Sequence, residues 1–143
     1  MPDNQALIEG LNEDLAAEYQ AVIMYRTYAS LVSGPHRQEL RAFFESEIPD
    51  ELGHAGLLAD KVVALGGTPA AAPASVPLAK DNRQMLQNAL TAEEETIARY
   101  TQRIDQAEAA GDISLKVQLE DLIVDESNHR DDIRRMLLDW HPG

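Results

Sequence analysis

The sequence predicts an all-α protein, a four-helix bundle built from two antiparallel helical hairpins joined by a long crossover loop. Breaks at Ser33-Gly34-Pro35, Gly66-Gly67 and Gly111 divide the 143 residues into four long stretches. Within each stretch, apolar residues recur at steps of three and four, which is the period of a helix with one buried face. A set of residues also recurs 75 positions later, for example Glu18 as Glu93, which indicates a duplicated hairpin.

The residues at the ends of these stretches support the four helices. Helix two begins near Pro35, which suits a first helical turn and stands just after the first break. Asp81 or Asn82 can cap helix three, and Asp112 can cap helix four. Pro49 lies inside helix two, where we expect it to kink the helix or loosen one hydrogen bond. The predicted helices cover about residues 4–32, 35–66, 81–110 and 112–140 of one domain spanning 1–143.

The segment between the second and third helices, about residues 67–80, predicts the crossover. It is rich in proline and poor in charged and aromatic residues, which disfavours both a helix and a core strand. The two outer turns are short, so helices one and two, and helices three and four, should pair antiparallel. The middle loop of roughly 14 residues spans up to about 45 Å at ~3.3 Å per residue, enough to cross the bundle.

Composition restricts the classes of partner. The formal net charge of −13 argues against binding to nucleic acid or to an anionic membrane, and it favours cations. No apolar run reaches the ~20 residues of a membrane span, and the N-terminus lacks the basic and apolar regions of a signal peptide. The absence of cysteine excludes disulfides, zinc–thiolate sites and iron–sulfur clusters, and it fits a reducing compartment. We therefore expect a cytoplasmic protein.

The repeat carries six residues that bind metals well. Glu18, Glu51 and His54 recur 75 positions later as Glu93, Glu126 and His129, all on inward stripes. Buried carboxylates cost several kcal/mol each and repel one another, so a positive charge must compensate them. The inward stripes supply no Lys or Arg, since Arg103 and the other basic residues are expected mostly on other faces. Two divalent cations would balance the four carboxylates.

The order of these residues along the chain matches a known type of metal site. In di-iron and di-manganese bundles, one Glu comes from each of two helices and Glu-x-x-His from each of the other two. Oxygen-rich ligands with one imidazole per metal suit iron or manganese, although zinc remains an alternative. On helix three, Glu93 is preferred because it is the repeat mate of Glu18, whereas Glu94 and Glu95 are expected to be solvated or outer acids, with Glu94 in reserve.

Several further residues have two interpretations each. Tyr25 and Tyr100 follow a ligand Glu by seven, so each is either a hydrogen-bond partner or electron source for the site, or an ordinary bundle tyrosine. Asp50 and Asp125 are candidates to accept a hydrogen bond from a histidine of the facing hairpin. Glu47, with Asp50, either guides iron or is an exposed acid, and exposure is favoured.

Two histidines lack a Glu three residues earlier. His36 and His141 lie near helix ends and are expected to be surface residues.

On these residues the chain resembles the ferritin-like superfamily, and its bacterioferritin branch most closely. The segments that carry the resemblance are Leu-Ala-Ala-Glu18-Tyr-Gln, Glu51-Leu-Gly-His54, Glu93 with Tyr100, and Asp-Glu126-Ser-Asn-His129. The resemblance implies that Glu51 and Glu126 bridge two irons. It also implies that Glu18 and His54 complete one metal, that Glu93 and His129 complete the other, and that Tyr25 is a redox-active catalytic residue.

The resemblance also implies a function and an assembly. We expect a ferroxidase that oxidises Fe(II) to Fe(III) with dioxygen or peroxide, for iron storage or detoxification, in a homodimer or higher homo-oligomer. The alternatives are a peroxide-decomposing di-iron or di-manganese enzyme and a non-catalytic metal-binding bundle. Leu52 stands where haem-binding bacterioferritins place an axial Met, so no haem is expected. The chain ends soon after helix four, without the short fifth helix of the large storage cages, which argues against a 24-subunit shell.

Overall fold

The computed structural model describes residues 4–138 and 140, and in this part of the chain it contains four α-helices and no β-strand. The helices are α1 Gln5–Leu31, α2 Arg37–Ala64, α3 Asn82–Ala109 and α4 Ile113–Leu137. The predicted four-helix fold is confirmed, and α2 continues through Pro49. None of the described helices combines the length and the apolar character that a bilayer span requires.

The helix ends are formed by the residues that the sequence indicated. At the N-terminus of α3, the Asp81 side chain accepts a hydrogen bond of 2.8 Å from a backbone N–H three residues on. Asp112 caps α4 in the same way, with a bond of 3.0 Å. Gly111 lies between these two helices with φ 73°, a conformation that glycine adopts without a steric penalty, and it ends α3.

The two hairpins pack face to face. Helix α1 packs along α2, α3 packs along α4, and the hairpins meet where α1 contacts α3. Side-chain contacts across that interface join Tyr25 to Glu93 and Glu18 to Tyr100, so α1 and α3 run antiparallel. This arrangement brings the middle of all four helices to one level of the bundle.

The crossover, residues 65–81, runs along α1. Near its start, the Asn12 side chain donates to the Thr68 carbonyl oxygen at 3.0 Å. Near its end, the Tyr28 hydroxyl donates to the carbonyl oxygen of Pro77. These contacts lie 16 residues apart on α1, which is about 24 Å of helix, so the predicted crossover of the bundle is confirmed.

Two apolar clusters fill the bundle, one on each side of its middle. One cluster contains Tyr28, Phe44 and Met85, and the other is built around Leu11 and Leu119. Buried polar residues occupy the level between them on every helix. The two clusters therefore close off the polar level from both ends of the bundle.

Candidate metal centre

The six predicted ligands lie together at the middle of the bundle. Each is at most 7% exposed, and their ligand atoms fall into two groups in which all atoms lie within 4.8 Å of one another. The first group is Glu18, Glu51, His54 and Glu126, and the second is Glu47, Glu51, Glu93 and His129. The structure thus brings all six together and adds Glu47.

The first group surrounds Nδ1 of His54. This nitrogen lies 2.9 Å from Oε1 of Glu126, 3.7 Å from Oε1 of Glu18 and 3.8 Å from Oε2 of Glu51. These three carboxylates come from α4, α1 and α2. A cation at this point would therefore receive ligands from three helices.

The second group surrounds Nδ1 of His129 in the same manner. This nitrogen lies 3.3 Å from Oε1 of Glu51, 3.6 Å from Oε1 of Glu93 and 3.9 Å from Oε1 of Glu126. Glu51 directs one oxygen toward each histidine, and Glu126 lies near both of them. The two groups are therefore halves of one centre that share these carboxylates.

Glu47 corrects one interpretation of the sequence. An exposed acid was favoured, but Glu47 is 5% exposed and its Oε2 lies 2.7 Å from Nδ1 of His129. The reason is helical periodicity, because Glu47 lies about one turn before Glu51 on the same face of α2. That face points into the bundle along its whole length, and Glu47 follows it.

Each histidine ring contacts an aspartate of the facing hairpin through Nε2, the ring nitrogen that points away from the glutamates. Nε2 of His54 lies 3.1 Å from Oδ2 of Asp125, and Nε2 of His129 lies 3.1 Å from Oδ2 of Asp50. The predicted acceptors are confirmed. When Nε2–H donates to the aspartate, the lone pair of Nδ1 faces the glutamates, which is the tautomer that a metal ligand needs.

The two tyrosines reach across the interface between the hairpins. The Tyr25 hydroxyl donates to Oε1 of Glu93 at 2.5 Å, and the Tyr100 hydroxyl donates to Oε1 of Glu18. Burial raises the pKa of both phenols, and the neighbouring carboxylates raise it further. Both tyrosines therefore remain protonated donors that orient a glutamate on the opposite hairpin.

The donor atoms of the cluster fit a bound metal. Among residues 4–138 and 140, the following buried atoms have no hydrogen-bond partner outside the cluster: Oε2 of Glu18, Glu47 and Glu93, Oε1 of Glu51 and Glu126, and Nδ1 of His54 and His129. A buried polar atom left unpaired costs about 1–3 kcal/mol. Carboxylate oxygens with an imidazole nitrogen are ligands that iron and manganese accept, and a metal would satisfy all of these atoms at once.

Comparison with known proteins agrees with this geometry. The model of the ferritin-like domain family matches residues 8–140. The chain belongs to the ferritin-like family. A bacterioferritin of Streptomyces coelicolor is 30% identical over 138 residues, which are 96% of this chain and 83% of that protein.

Solved structures agree as well. A ferritin-like, diiron-carboxylate protein from Bacillus anthracis str. Ames superposes with a TM-score of 0.94 at 52% identity, covering 96% of this chain and 99% of that one. A bacterioferritin-related dodecameric thioferritin from Bacteroides fragilis gives a TM-score of 0.87 at 26% identity, covering 96% and 87%. The resemblance inferred from the sequence is confirmed, and this ferritin-like chain carries carboxylate and histidine groups able to bind metal.

Burial and close contacts shift the pKa values of the groups in the centre. Burial raises the pKa of Glu51 and Glu126, and neighbouring carboxyls add to the effect. Burial alone would lower the pKa of His54, but the Glu126 and Glu18 carboxylates outweigh it and raise the pKa to about 11. The pKa of His129 is raised for the same reason. In this ferritin-like bundle the raised pKa of both histidines favours their protonated forms, and a metal that binds Nδ1 must displace the proton there.

A buried ion pair near the centre was missed. Nε and one terminal nitrogen of Arg103 donate to the Asp14 carboxylate at 2.8 and 3.1 Å, and the exposed fractions of the two residues are 4% and 1%. The placement of Arg103 on an outer face was therefore wrong. A Cβ atom on Gly10 would lie 1.9 Å from the guanidinium, so this glycine leaves the space that Arg103 fills. The pair balances its own charge and leaves the glutamates uncompensated.

The remaining expectations concern residues near the centre or the surface. Glu94 and Glu95 are exposed, as is His36, whereas Glu93 is buried. The choice of Glu93 as the inward acid of α3 is thus confirmed as a placement. His141 lies outside the described residues. Leu52, which stands where haem-binding bacterioferritins place an axial Met, is half exposed.

Proposed function

We propose that this protein is a ferroxidase that oxidises Fe(II) to Fe(III) at a two-metal centre. The observation that supports the proposal most directly is the set of buried donor atoms on both sides of Glu51 that have no other partner within the described chain. Two Fe(II) ions give up one electron each. Dioxygen accepts both electrons with two protons from water and becomes hydrogen peroxide, or hydrogen peroxide accepts both electrons with two protons and becomes two water molecules. Fe(II) is thus the substrate, and the reaction serves iron storage or detoxification.

The chain's own residues have distinct roles in this proposal. Glu51 and Glu126 would hold both metals, Glu18 and His54 would complete one position, and Glu93 and His129 would complete the other. Support comes from the contacts of Glu51 and Glu126 with both histidines. Carboxylates suit this work because each can bind through one oxygen or two as the charge of the iron changes. Manganese and zinc are the competing occupants.

Tyr25 is the redox-active residue of the proposed centre. It is fully buried, and its hydroxyl donates to Glu93. It supplies an electron and its phenolic proton when the oxidant needs more than the two electrons of the iron pair. Tyr25→Phe should remove the tyrosyl radical signal in electron paramagnetic resonance, whereas the matched Tyr100→Phe variant should keep it. Retention of the signal in Tyr25→Phe would reject this role.

Anaerobic titration with Fe(II), followed by exposure to oxygen, tests the ferroxidase proposal. We expect saturation at two Fe(II) per chain and then the near-ultraviolet absorption of a di-ferric product. The double variant Glu51→Ala with Glu126→Ala should lose both, while Glu94→Ala, which removes an exposed acid beside Glu93, should keep both. Binding and oxidation that survive in the double variant would reject the proposal.

The choice of oxidant separates ferroxidase activity from its alternatives. Oxidation that is much faster with peroxide than with dioxygen would favour a peroxide-decomposing enzyme. Metal binding without any oxygen consumption would indicate a non-catalytic bundle. Measuring oxygen uptake and peroxide loss on the same iron-loaded sample distinguishes these outcomes.

The protein is also proposed to form a homo-oligomer. Support comes from the Bacteroides fragilis relative, which is dodecameric. Native mass spectrometry of the purified protein would give the number of subunits. A monomer at micromolar concentration would contradict the proposal and would favour detoxification over storage.

A further inference from the structure

We propose that Glu47 is a seventh metal ligand, specific to the His129 side of the centre, and that it makes the two metal positions unequal in affinity. The inference rests on the proposed two-metal function. It concerns a residue outside the set of six ligands that the ferritin-like pattern supplies, and it predicts a difference between the two metals that the ligand repeat alone would not produce.

The contacts of Glu47 place it within reach of a metal bound by His129. Its Oε2 lies 2.7 Å from Nδ1, which is the nitrogen that faces the carboxylates. The other ring nitrogen of His129 is held by Asp50. Oε2 of Glu47 is buried, since the residue is 5% exposed, and the ligand atom that it faces is Nδ1 of His129. A buried carboxylate oxygen directed at a metal-ligand nitrogen is therefore available as a further ligand.

The repeat shows that this ligand has no counterpart on the other side. The residue 75 positions after Glu47 is Leu122, which is 5% exposed and belongs to the apolar cluster around Leu11. The group around His54 accordingly contains the shared carboxylates and Glu18, whereas the group around His129 contains Glu47 in addition to its own Glu93. The side chains are nearly symmetric at six positions and differ at this seventh.

The extra carboxylate changes the charge of the site. Five ionised carboxylates carry −5, whereas two divalent cations carry +4, so a metal beside Glu47 meets more negative charge than its neighbour does. The cation on the His129 side should therefore bind more tightly than the cation on the His54 side. The same field stabilises the trivalent product on that side. The alternative is that Glu47 only forms an ion pair with protonated His129 and leaves when a metal enters.

Anaerobic calorimetric titration with Co(II), a metal that stays divalent, tests the inference without any turnover. Wild type should show two Co(II) per chain in two affinity classes. Glu47→Gln keeps the shape of the side chain but removes its charge. It should weaken the tighter class by at least ~10-fold, since loss of even an outer partner of a metal ligand costs roughly 10–100-fold. The weaker class should remain unchanged.

Glu94→Gln is the matched control, because it removes one negative charge from an exposed residue close to Glu93 in sequence. Both affinity classes should survive in it. Two unchanged classes in Glu47→Gln would overturn the role of Glu47 while leaving the two-metal proposal intact. Failure of wild type to bind two Co(II) would overturn both. The melting temperatures of metal-free wild type and of metal-free Glu47→Gln establish that both proteins are folded before titration.

Discussion

Replacing Glu51 and Glu126 by leucine is predicted to stabilise the metal-free bundle while abolishing its response to metal. Without metal, these two carboxyls are about 1% exposed, and burial together with neighbouring carboxyls raises the pKa of each. The cost of burying them opposes folding, and after the exchange His54 still faces Glu18 and Asp125 while His129 still faces Glu47 and Asp50. Exchange of buried ionisable groups for apolar side chains of similar volume is neutral or stabilises by about 1–4 kcal/mol.

In the wild-type protein, bound metal is expected to stabilise the folded state by more than the buried acids destabilise it. A ligand at 100 times its dissociation constant stabilises the folded state by about 2.7 kcal/mol per site, so two sites contribute roughly 5.4 kcal/mol. For a chain of about this size, 1 kcal/mol shifts the melting temperature by roughly 2–4 °C. Saturation of both sites should therefore raise the melting temperature of wild type by about 10–20 °C and leave the variant unchanged.

Thermal unfolding followed by far-ultraviolet circular dichroism measures both effects, with chelator in one series and Co(II) in the other. Glu94→Leu is the control for adding apolar surface, because that position is exposed and its effect should stay within about 0.5 kcal/mol. A metal-free double variant that melts several degrees below metal-free wild type would refute the reasoning. It would mean that the carboxyls of Glu51 and Glu126 support the fold without a metal.

Three other perturbations should give equally direct results. Metal binding at pH 7 should release protons and should weaken as pH falls. The reason is that the pKa of His54 is raised to about 11, so the ring is protonated at pH 7 and must become neutral to bind metal. Calorimetry in buffers of different ionisation enthalpy counts the released protons. Asp14→Ala should lower the free energy of unfolding, measured in urea, by about 3–5 kcal/mol, because it leaves the buried Arg103 unpaired. Adding Arg103→Met should recover much of this loss, because it removes the unpaired charge. Gly34→Ala should lower the free energy of unfolding by about 1–2 kcal/mol in the same assay, because an alanine is strained at the φ of 82° that Gly34 adopts.

The helices and the burial of the six repeated Glu and His residues could be predicted because their signals are local or repeated. Gly111 and Asp112, for example, mark the turn between α3 and α4 by their own conformational and capping preferences. The repeat distinguished Glu93 from its two acidic neighbours, and the structure buries Glu93 while exposing the others. Neither inference required knowledge of which helices touch.

Features that depend on the opposite helix were harder to predict. The spacing along α2 places Glu47 on the inward face, but it does not reveal the partner there, which is His129 of α4. The charge of Arg103 predicts an outer face, but on α1 the Asp14 carboxylate accepts its hydrogen bonds and Gly10 leaves space for its guanidinium. The spacing of residues within one helix contains no information about these partners, and a single sequence gives no direct measure of tertiary contact.

Two departures from the repeat differ in their contacts with the crossover. At one end of the α1–α3 interface, the Tyr28 hydroxyl donates a hydrogen bond to the carbonyl oxygen of Pro77 in the crossover. The repeat mate of Tyr28 is Arg103, which lies at the other end of that interface and binds Asp14 instead. The crossover touches α1 at both ends, since Asn12, close to Asp14, donates to the Thr68 carbonyl oxygen, so the two positions differ in their immediate partners. Glu47 contacts α4 rather than the crossover, so the connection cannot account for its asymmetry, and a role at the metal centre can.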